Sequence, residues 1–306
     1  MADLILHHYD MSPFAEKARL MLGIKGLPWH SVDIPFIMPK PDLMPLTGGY
    51  RKTPVLQVGA DIYCDTKLIA EELERRVPEP TLMAGGVGLA YAISAFAESS
   101  FFWSAAGFII GNNVDRFPDA FHQDRARMRG APGANVEKLK AAVPQHLEQL
   151  RPQLGWMDAL FADGRPFLRG DWPGLADLTL YHPLWFIARS GRTVRAILDD
   201  HPVLLAFMDR IADIGHGDPT PMQPDDALAA ARDATPDTPR GVEANAEGWT
   251  AGRQVGIAPT DYARDTVKGE LVSYNAGEIA IRRHDAAVGD VVVHFPRVGF
   301  AIRAMD

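Results

Sequence analysis

The 306-residue chain is too long for one ordinary hydrophobic core, so two domains or more are expected. With 47% hydrophobic and 23% charged residues it has a globular composition, and no apolar run reads as long enough to span a bilayer. A net charge of −8 argues against nucleic acid as a main partner, although a local basic site for a small anion stays open. The single cysteine, Cys64, excludes an internal disulfide framework and a multi-cysteine metal site, and it fits a reducing, cytoplasmic setting. The start, Met1 to His7, has no basic region ahead of a long apolar one, so neither a secretory signal nor a membrane partner is expected.

In chain order, Asp3 to Tyr9 is apolar and aromatic without a breaker and predicts a buried strand. From Pro13 to Ile24 the residues Phe14, Ala18, Met21 and Leu22 recur at helical spacing. Pro13 stands in the first turn, where its missing N–H costs nothing, and Gly26 stops the run. Trp29 to Ile34 predicts a second strand, followed by a proline- and methionine-rich loop from Pro35 to Gly49. Thr53 to Val58 and Asp61 to Cys64 predict a hairpin around Gly59-Ala60, and Thr66 to Arg76 a helix with Leu68, Ile69 and Leu73 facing inward. The order β-α-β, β-β-α is that of a thioredoxin-like α/β domain over residues 1–78.

Pro78 to Pro80 reads as a linker, and residues 81–233 read as an all-α domain. Gly86 to Ile110 is apolar and aromatic. Leu139, Val143, Leu147, Leu150, Leu154, Met157 and Phe161 then recur at three and four residues, with Pro144 and Pro152 predicting a kinked or split helix. Leu175 to Ala188 and Val194 to Ile214 predict two more helices. Asp177, three residues after Gly174, can accept from the free amides of the first. A short helix around Asp226 to Arg232 precedes a linker over residues 234–250. Period-two patterning then predicts strands at Gln254–Ala258, Val267–Tyr274, Glu278–Arg282, Asp290–Phe295 and Val298–Arg303. Residues 251–306 therefore read as a small antiparallel barrel or meander, expected to pack on the helical body.

Ser12 sits between the first strand and the first helix, where free backbone amides and the positive helix end stabilise an anion, a ligand thiolate above all. Taken alone, it reads first as a plain N-cap with Pro13 at the first helical position. Pro54 stands at the mouth of a strand-like run, as an edge residue or a cis residue that leaves backbone groups for an extended peptide. Asp65 and Thr66 open the next helix, either as a cap pair or as a grip on an α-amino and α-carboxyl group. Cys64 reads as a buried structural cysteine, since the neighbouring Asp65 would raise its pKa. No histidine shows metal-ligand spacing, so no metal is expected. Arg282-Arg283 and Arg297 read as a small basic face or as solvated edge strands.

The runs Ser12-Pro13-Phe14-Ala15-Glu16-Lys17-Ala18-Arg19, Arg51-Lys52-Thr53-Pro54-Val55-Leu56 and Asp65-Thr66 resemble the glutathione-binding half of glutathione S-transferases. Gly170 to Asp177 resembles the family's capping motif in the helical domain, with Gly174 where serine or threonine is usual. The resemblance covers residues 3–230 and implies a transferase of the serine or cysteine type that takes glutathione as co-substrate. The alternatives are a non-catalytic binding or scaffold protein of the same fold, whose β extension meets a protein partner, and a glutathione-dependent isomerase or lyase. The resemblance implies that Ser12 hydrogen-bonds the glutathione sulfur, with Tyr9 as its rival at the position of the tyrosine-type branches. Thr53-Pro54-Val55 would form a cis-proline turn whose Val55 backbone pairs with the cysteinyl unit. Asp65 and Thr66 would hold the γ-glutamyl end, and Lys52 or Arg51 the glycyl carboxylate. Phe14, Phe102, Trp103 and Phe108 would line a pocket for a small hydrophobic electrophile, although aromatics at helical spacing also read as core. A cytoplasmic homodimer with a detoxifying role is the further implication, and the C-terminal β segment departs from the ordinary family fold.

Overall fold

The computed structural model describes residues 3–305. The first unit comprises β1 (Leu4–His8), α1 (Pro13–Lys25), β2 (Pro28–Asp33), α2 (Met44–Thr47), β3 (Val55–Val58), β4 (Asp61–Cys64) and α3 (Thr66–Arg76). Helices follow: α4 (Val87–Phe96), α5 (Phe102–Asn112), α6 (Asp119–Met128), α7 (Val136–Ala141), α8 (Val143–Leu160), α9 (Leu175–Arg189), α10 (Arg192–Arg195) and α11 (Pro202–Ala212). The chain then forms β5 (Asp218–Pro221), α12 (Pro224–Arg232) and β6 (Gly241–Val242). It closes with β7 (Gln254–Pro259), β8 (Val267–Tyr274), β9 (Glu278–Asp285), β10 (Gly289–Pro296) and β11 (Phe300–Ala304). A thioredoxin-like domain, a helical domain and an added C-terminal antiparallel β region are all present.

The strands of the added region do not pack on the helical body as expected; it is the loop between β7 and β8 that reaches the helical domain, where Tyr262 meets Trp103 and Ala263 donates to the Met128 carbonyl. The strands join the first domain's sheet, whose order is β11-β7-β8-β9-β10-β4-β3-β1-β2-β5, with β6 beside β8. The junction is parallel: Val292, Val293 and His294 of β10 lie opposite Asp61, Ile62 and Tyr63 of β4. The free edge of β4 offers unpaired N–H and C=O groups, and β10 covers it. At the opposite end β5 carries Pro219 and Pro221, which lack the N–H that a further strand would need.

Each strand of the first domain feeds two cores because alternate side chains leave opposite faces. Leu4, Leu6, Leu56, Val58 and Tyr63 pack with the helical domain. Ile5, Val55, Ile62 and Cys64 pack on the other face with α12 and with Val255, Ile257, Val293 and Phe295 of the added strands. This is why β1 reads as a continuous apolar run. Cys64 is the buried structural cysteine expected, its thiol pushed well up by burial and by Asp65.

Several local expectations need amendment. The Val194–Ile214 pattern is two helices, since Pro202 starts α11 anew. The polar α6, with few buried apolar positions, and the proline-bearing β5 carry no periodic signal. Pro144 starts α8 and Pro152 lies inside it, and α7 is separate. Contrary to the composition-level reading, Val87–Asn112 is a 26-residue helical run long and apolar enough to cross a membrane. A π-helical turn at Ala97–Phe101 interrupts it, and it packs on α8 and α9 as a core helix does. Gly174 explains its own departure from serine: a Cβ there would lie 2.9 Å from that of Ala84 and 3.0 Å from the Leu82 carbonyl oxygen. Asp177 accepts from the amides of Gly174 at 2.9 Å and Leu168 at 2.7 Å.

A charged cluster fastens the β4–β10 seam. His294 reaches Asp61 Oδ1 at 2.9 Å and Glu278 Oε2 at 3.4 Å, and stacks on Tyr63 at 4.5 Å. Burial pulls the His294 pKa down, but the two carboxylates more than reverse this and the net shift is upward. A raised folded-state pKa stabilises fully below the ordinary value of 6.5, and the benefit is lost as pH rises through the folded value. Thermal midpoints measured upward from pH 6 should therefore decline in the native protein, with a shallower decline in His294→Gln. That variant should also lose about 3 kcal/mol near neutrality, because Asp61 stays buried without its cation while Glu278 keeps Arg240 as its cation, at 3.5 Å. Parallel pH profiles for the two proteins would contradict this account.

Candidate functional site

Two adjoining cavities open where the first domain meets the helices. One, about 540 Å³, is lined by Tyr9, Ser12, Phe14, Arg51, Lys52, Thr53, Phe102 and Trp103 among others. The second, about 270 Å³, is lined by Lys52, Thr53, Pro54, Asp65, Thr66, Phe14, Phe102 and Trp103. Eleven of the thirteen sequence-derived residues thus converge. Two do not. Val55 is fully buried, its backbone in register with both His7 and Cys64, and it reaches neither cavity. Phe108 belongs to the main helical core, where an apolar helix face is expected to go.

Ser12 caps α1: its Oγ accepts from the Ala15 amide at 3.2 Å, and its own backbone is extended. The cap engages the oxygen as acceptor and leaves the hydroxyl proton free to donate to a ligand. Pro13 contributes no N–H, and the positive end of a 13-residue helix faces the same spot. Tyr9 lines the cavity beside it, with Arg125 donating to its hydroxyl at 3.4 Å and the Lys40 ammonium 5.8 Å from its ring centroid. Phe14 meets Phe102 at 4.9 Å and His182 at 4.7 Å, and burial holds that imidazole neutral.

The second cavity has the polar ends an extended ligand needs. The Thr53–Pro54 bond is cis. Asp65 adopts φ +76° and ψ 140°, a conformation that costs a non-glycine residue about 1–3 kcal/mol and that concentrates at functional turns. Its carboxylate caps α3 through the Lys67 amide at 3.0 Å.

The two basic candidates already have partners. Arg51 pairs with Asp124 on α6, while its Nε is buried with no hydrogen-bond partner. Lys52 donates to Asp261 Oδ1 at 2.6 Å and lies 4.1 Å from the Tyr262 ring centroid. Tyr262 meets Trp103 edge-on at 5.2 Å, and Ala263 donates to the Met128 carbonyl at 2.6 Å. The β7–β8 loop of the added region therefore forms the outer wall of both cavities.

Sequence reasoning missed Asp261 and Tyr262, and also Lys40, Arg125 and Arg129, which line the larger cavity. Lys40 is buried and donates to Thr53 Oγ1 at 2.8 Å and the Arg51 carbonyl at 3.0 Å. Burial, then Arg125 and Arg51, bring its pKa down to about 7. A lysine in a proline-rich loop and arginines on a polar helix carry no local signal. Only the paired basic residues 51 and 52 did.

Comparison with known proteins agrees with this geometry. Residues 6–81 match the model of the glutathione S-transferase N-terminal domain, and residues 140–210 match that of its C-terminal domain. A GST-like protein of known crystal structure from Pseudomonas syringae is 39% identical, covers 100% of both chains and superposes with a TM-score of 0.77. A glutathione S-transferase from Rhodospirillum rubrum is 22% identical, covering 68% of this chain and 87% of its own with a TM-score of 0.52, and shares the fold. FtsZ-localized protein A of Caulobacter vibrioides is 28% identical over 176 residues, 56% of this chain and 72% of its own. With both family domains matched in order and a relative similar from end to end, this chain belongs to the glutathione S-transferase family.

Proposed function

We propose that the protein is a glutathione-dependent transferase-like enzyme that activates the glutathione thiolate for attack on a small electrophile. The observation that carries this reading is that the Ser12 cap lines one cavity and the Pro54 and Asp65-Thr66 turns line the adjoining one, with Phe14, Lys52, Thr53, Phe102 and Trp103 common to both. The residues fit the ligand. The carboxylate of Asp65, held in its strained turn, meets the α-ammonium of the γ-glutamyl unit, and Thr66 meets the α-carboxylate. Thr53, rather than the sheet-bound Val55, presents backbone to the cysteinyl unit. Lys52 takes the glycyl carboxylate on exchanging Asp261 for it. The sulfur then lies toward Ser12, whose hydroxyl donates to it while the α1 dipole favours its negative charge. Both effects lower the thiol pKa and raise the fraction of nucleophile near neutral pH.

A second reading, a non-catalytic binding protein, draws on the Asp261-Tyr262 wall, which sets a carboxylate on the cation meant for the ligand. It draws also on the likeness to a protein named for its localisation with FtsZ. Reaction class, homodimer and cytoplasmic location come with the family expectation. A dimer formed through the first domain would have to accommodate β10 along β4.

Two measurements separate the readings. Titration with millimolar glutathione should produce an ultraviolet thiolate band that disappears in Ser12→Ala, with kcat/KM falling roughly a hundredfold. Tyr9→Phe should leave the band in place, whereas loss in that variant alone would move the role to Tyr9. Asp261→Asn, which frees Lys52, should tighten glutathione binding several-fold by removing a competing carboxylate. Failure of both native protein and Asp261→Asn to bind glutathione would sink the enzymatic reading.

A further inference from the structure

The larger cavity combines an apolar floor with a surplus of cations that glutathione does not need. Phe36, Phe117, Phe121 and Phe186 line it, and so do the cations Arg116, Arg125, Arg129 and Arg189, with Lys40, whose pKa is brought down to about 7, as a partly charged neighbour. Asp10 is the one acidic side chain in that lining among the described residues. Arg125 shares Asp124 with Arg51, so a single carboxylate serves two guanidinium groups. Arg116, Arg129 and Arg189 pair with no carboxylate among the described residues. Arg116 donates only to Asn113 Oδ1 at 3.3 Å, and Arg189 lies 5.1 Å from the Trp185 ring centroid. Lys40 donates to oxygens that carry no charge.

Each arginine follows or ends a helix, α5, α6 or α9, and a helix C-terminus favours a cation. That explains one charge per helix but not their convergence on one cavity. Like charges gathered at an apolar wall repel, and their repulsion is relieved by an anion. The contrast with the chain's net charge of −8 makes the local surplus sharper.

We propose that this cavity binds an amphipathic anion, an aromatic or otherwise apolar body carrying a carboxylate or a similar oxyanion. The apolar body lies against Phe36, Phe117 and Phe121, and the oxyanion meets Arg129 and Arg116 at the rim. Guanidinium groups suit this role because they offer paired donors to a planar carboxylate. The proposal rests on the glutathione reading only in calling this ligand the second substrate. The neighbouring groove of Pro54, Asp65 and Thr66 then holds the peptide, and the anion lies beside Ser12 and Tyr9.

The test uses the full chain and two unreactive ligands of matched ring, para-nitrobenzoate and nitrobenzene, titrated calorimetrically in the absence of glutathione. The carboxylate should bind about tenfold more tightly, the gain expected of one charge-assisted contact, and added salt should shrink the ratio. Arg129→Gln, at an exposed position, should remove most of the preference while leaving nitrobenzene binding unchanged, and Arg116→Gln should act in the same direction. Equal affinities, no binding of para-nitrobenzoate, or a preference indifferent to both substitutions would overturn the proposal. A separate glutathione titration reports on the first reading alone, so the two can fail independently.

Discussion

The free edge of β4 is the constraint on which the rest of the molecule depends. A strand edge in water is a template for pairing, and this chain satisfies it with its own β10, laid parallel with His294 opposite Tyr63. A parallel partner cannot follow through a tight turn. The helical domain and three of the added strands therefore intervene before β10 returns. Once β10 is fixed, β9, β8 and β7 must extend outward in antiparallel order, and the β7–β8 loop comes to lie over the cleft of the first domain. The Asp261–Lys52 pair and the Tyr262–Trp103 contact follow from that geometry. A segment added at the far edge of a sheet thereby acts at the site.

Electrostatics divides the molecule in the same way. The seam is held by a histidine between two buried carboxylates, an arrangement whose value lies in pairing, since each charge alone would be costly to bury. The cleft has the opposite character, with cations in excess over acids around an apolar floor. Asp124 and Asp261 each offset part of that excess, one from the helical domain and one from the added strands. The site is thus assembled from three regions of the chain, and the charge balance at its centre depends on all three.

Much of the first domain is legible in the sequence because its signals are local. Pro13 and Gly26 bracket α1, Gly59-Ala60 turns the β3–β4 hairpin, and the period-two runs 254–258 and 290–295 mark β7 and β10. Ser12, Pro54, Asp65 and Thr66 are legible for the same reason, since each sits at an element boundary with a fixed backbone role. Val55 and Phe108 show where such reasoning stops. Both lie on the correct elements, yet the direction of a side chain relative to a cavity depends on register and packing across elements. Lys40, Arg125 and Tyr262 lie in a loop, on a polar helix and after a strand, with nothing local to set them apart.

The sequence by itself determined the order of most elements, though not α6, α7 or β5, together with the thioredoxin-like and helical halves, the added β segment and the polar residues at three turns. These follow from periodicity, caps and proline or glycine placement, all of which act over a few residues. Tertiary structure alone decided that the added strands continue the first sheet instead of covering the helices. It also decided that Asp261 and Tyr262 wall the cleft and that scattered arginines converge on one apolar cavity. The reason is physical: strand pairing and charge convergence depend on groups hundreds of positions apart, Asp61 with His294 or Lys52 with Asp261, and no local pattern encodes which edge a strand will find.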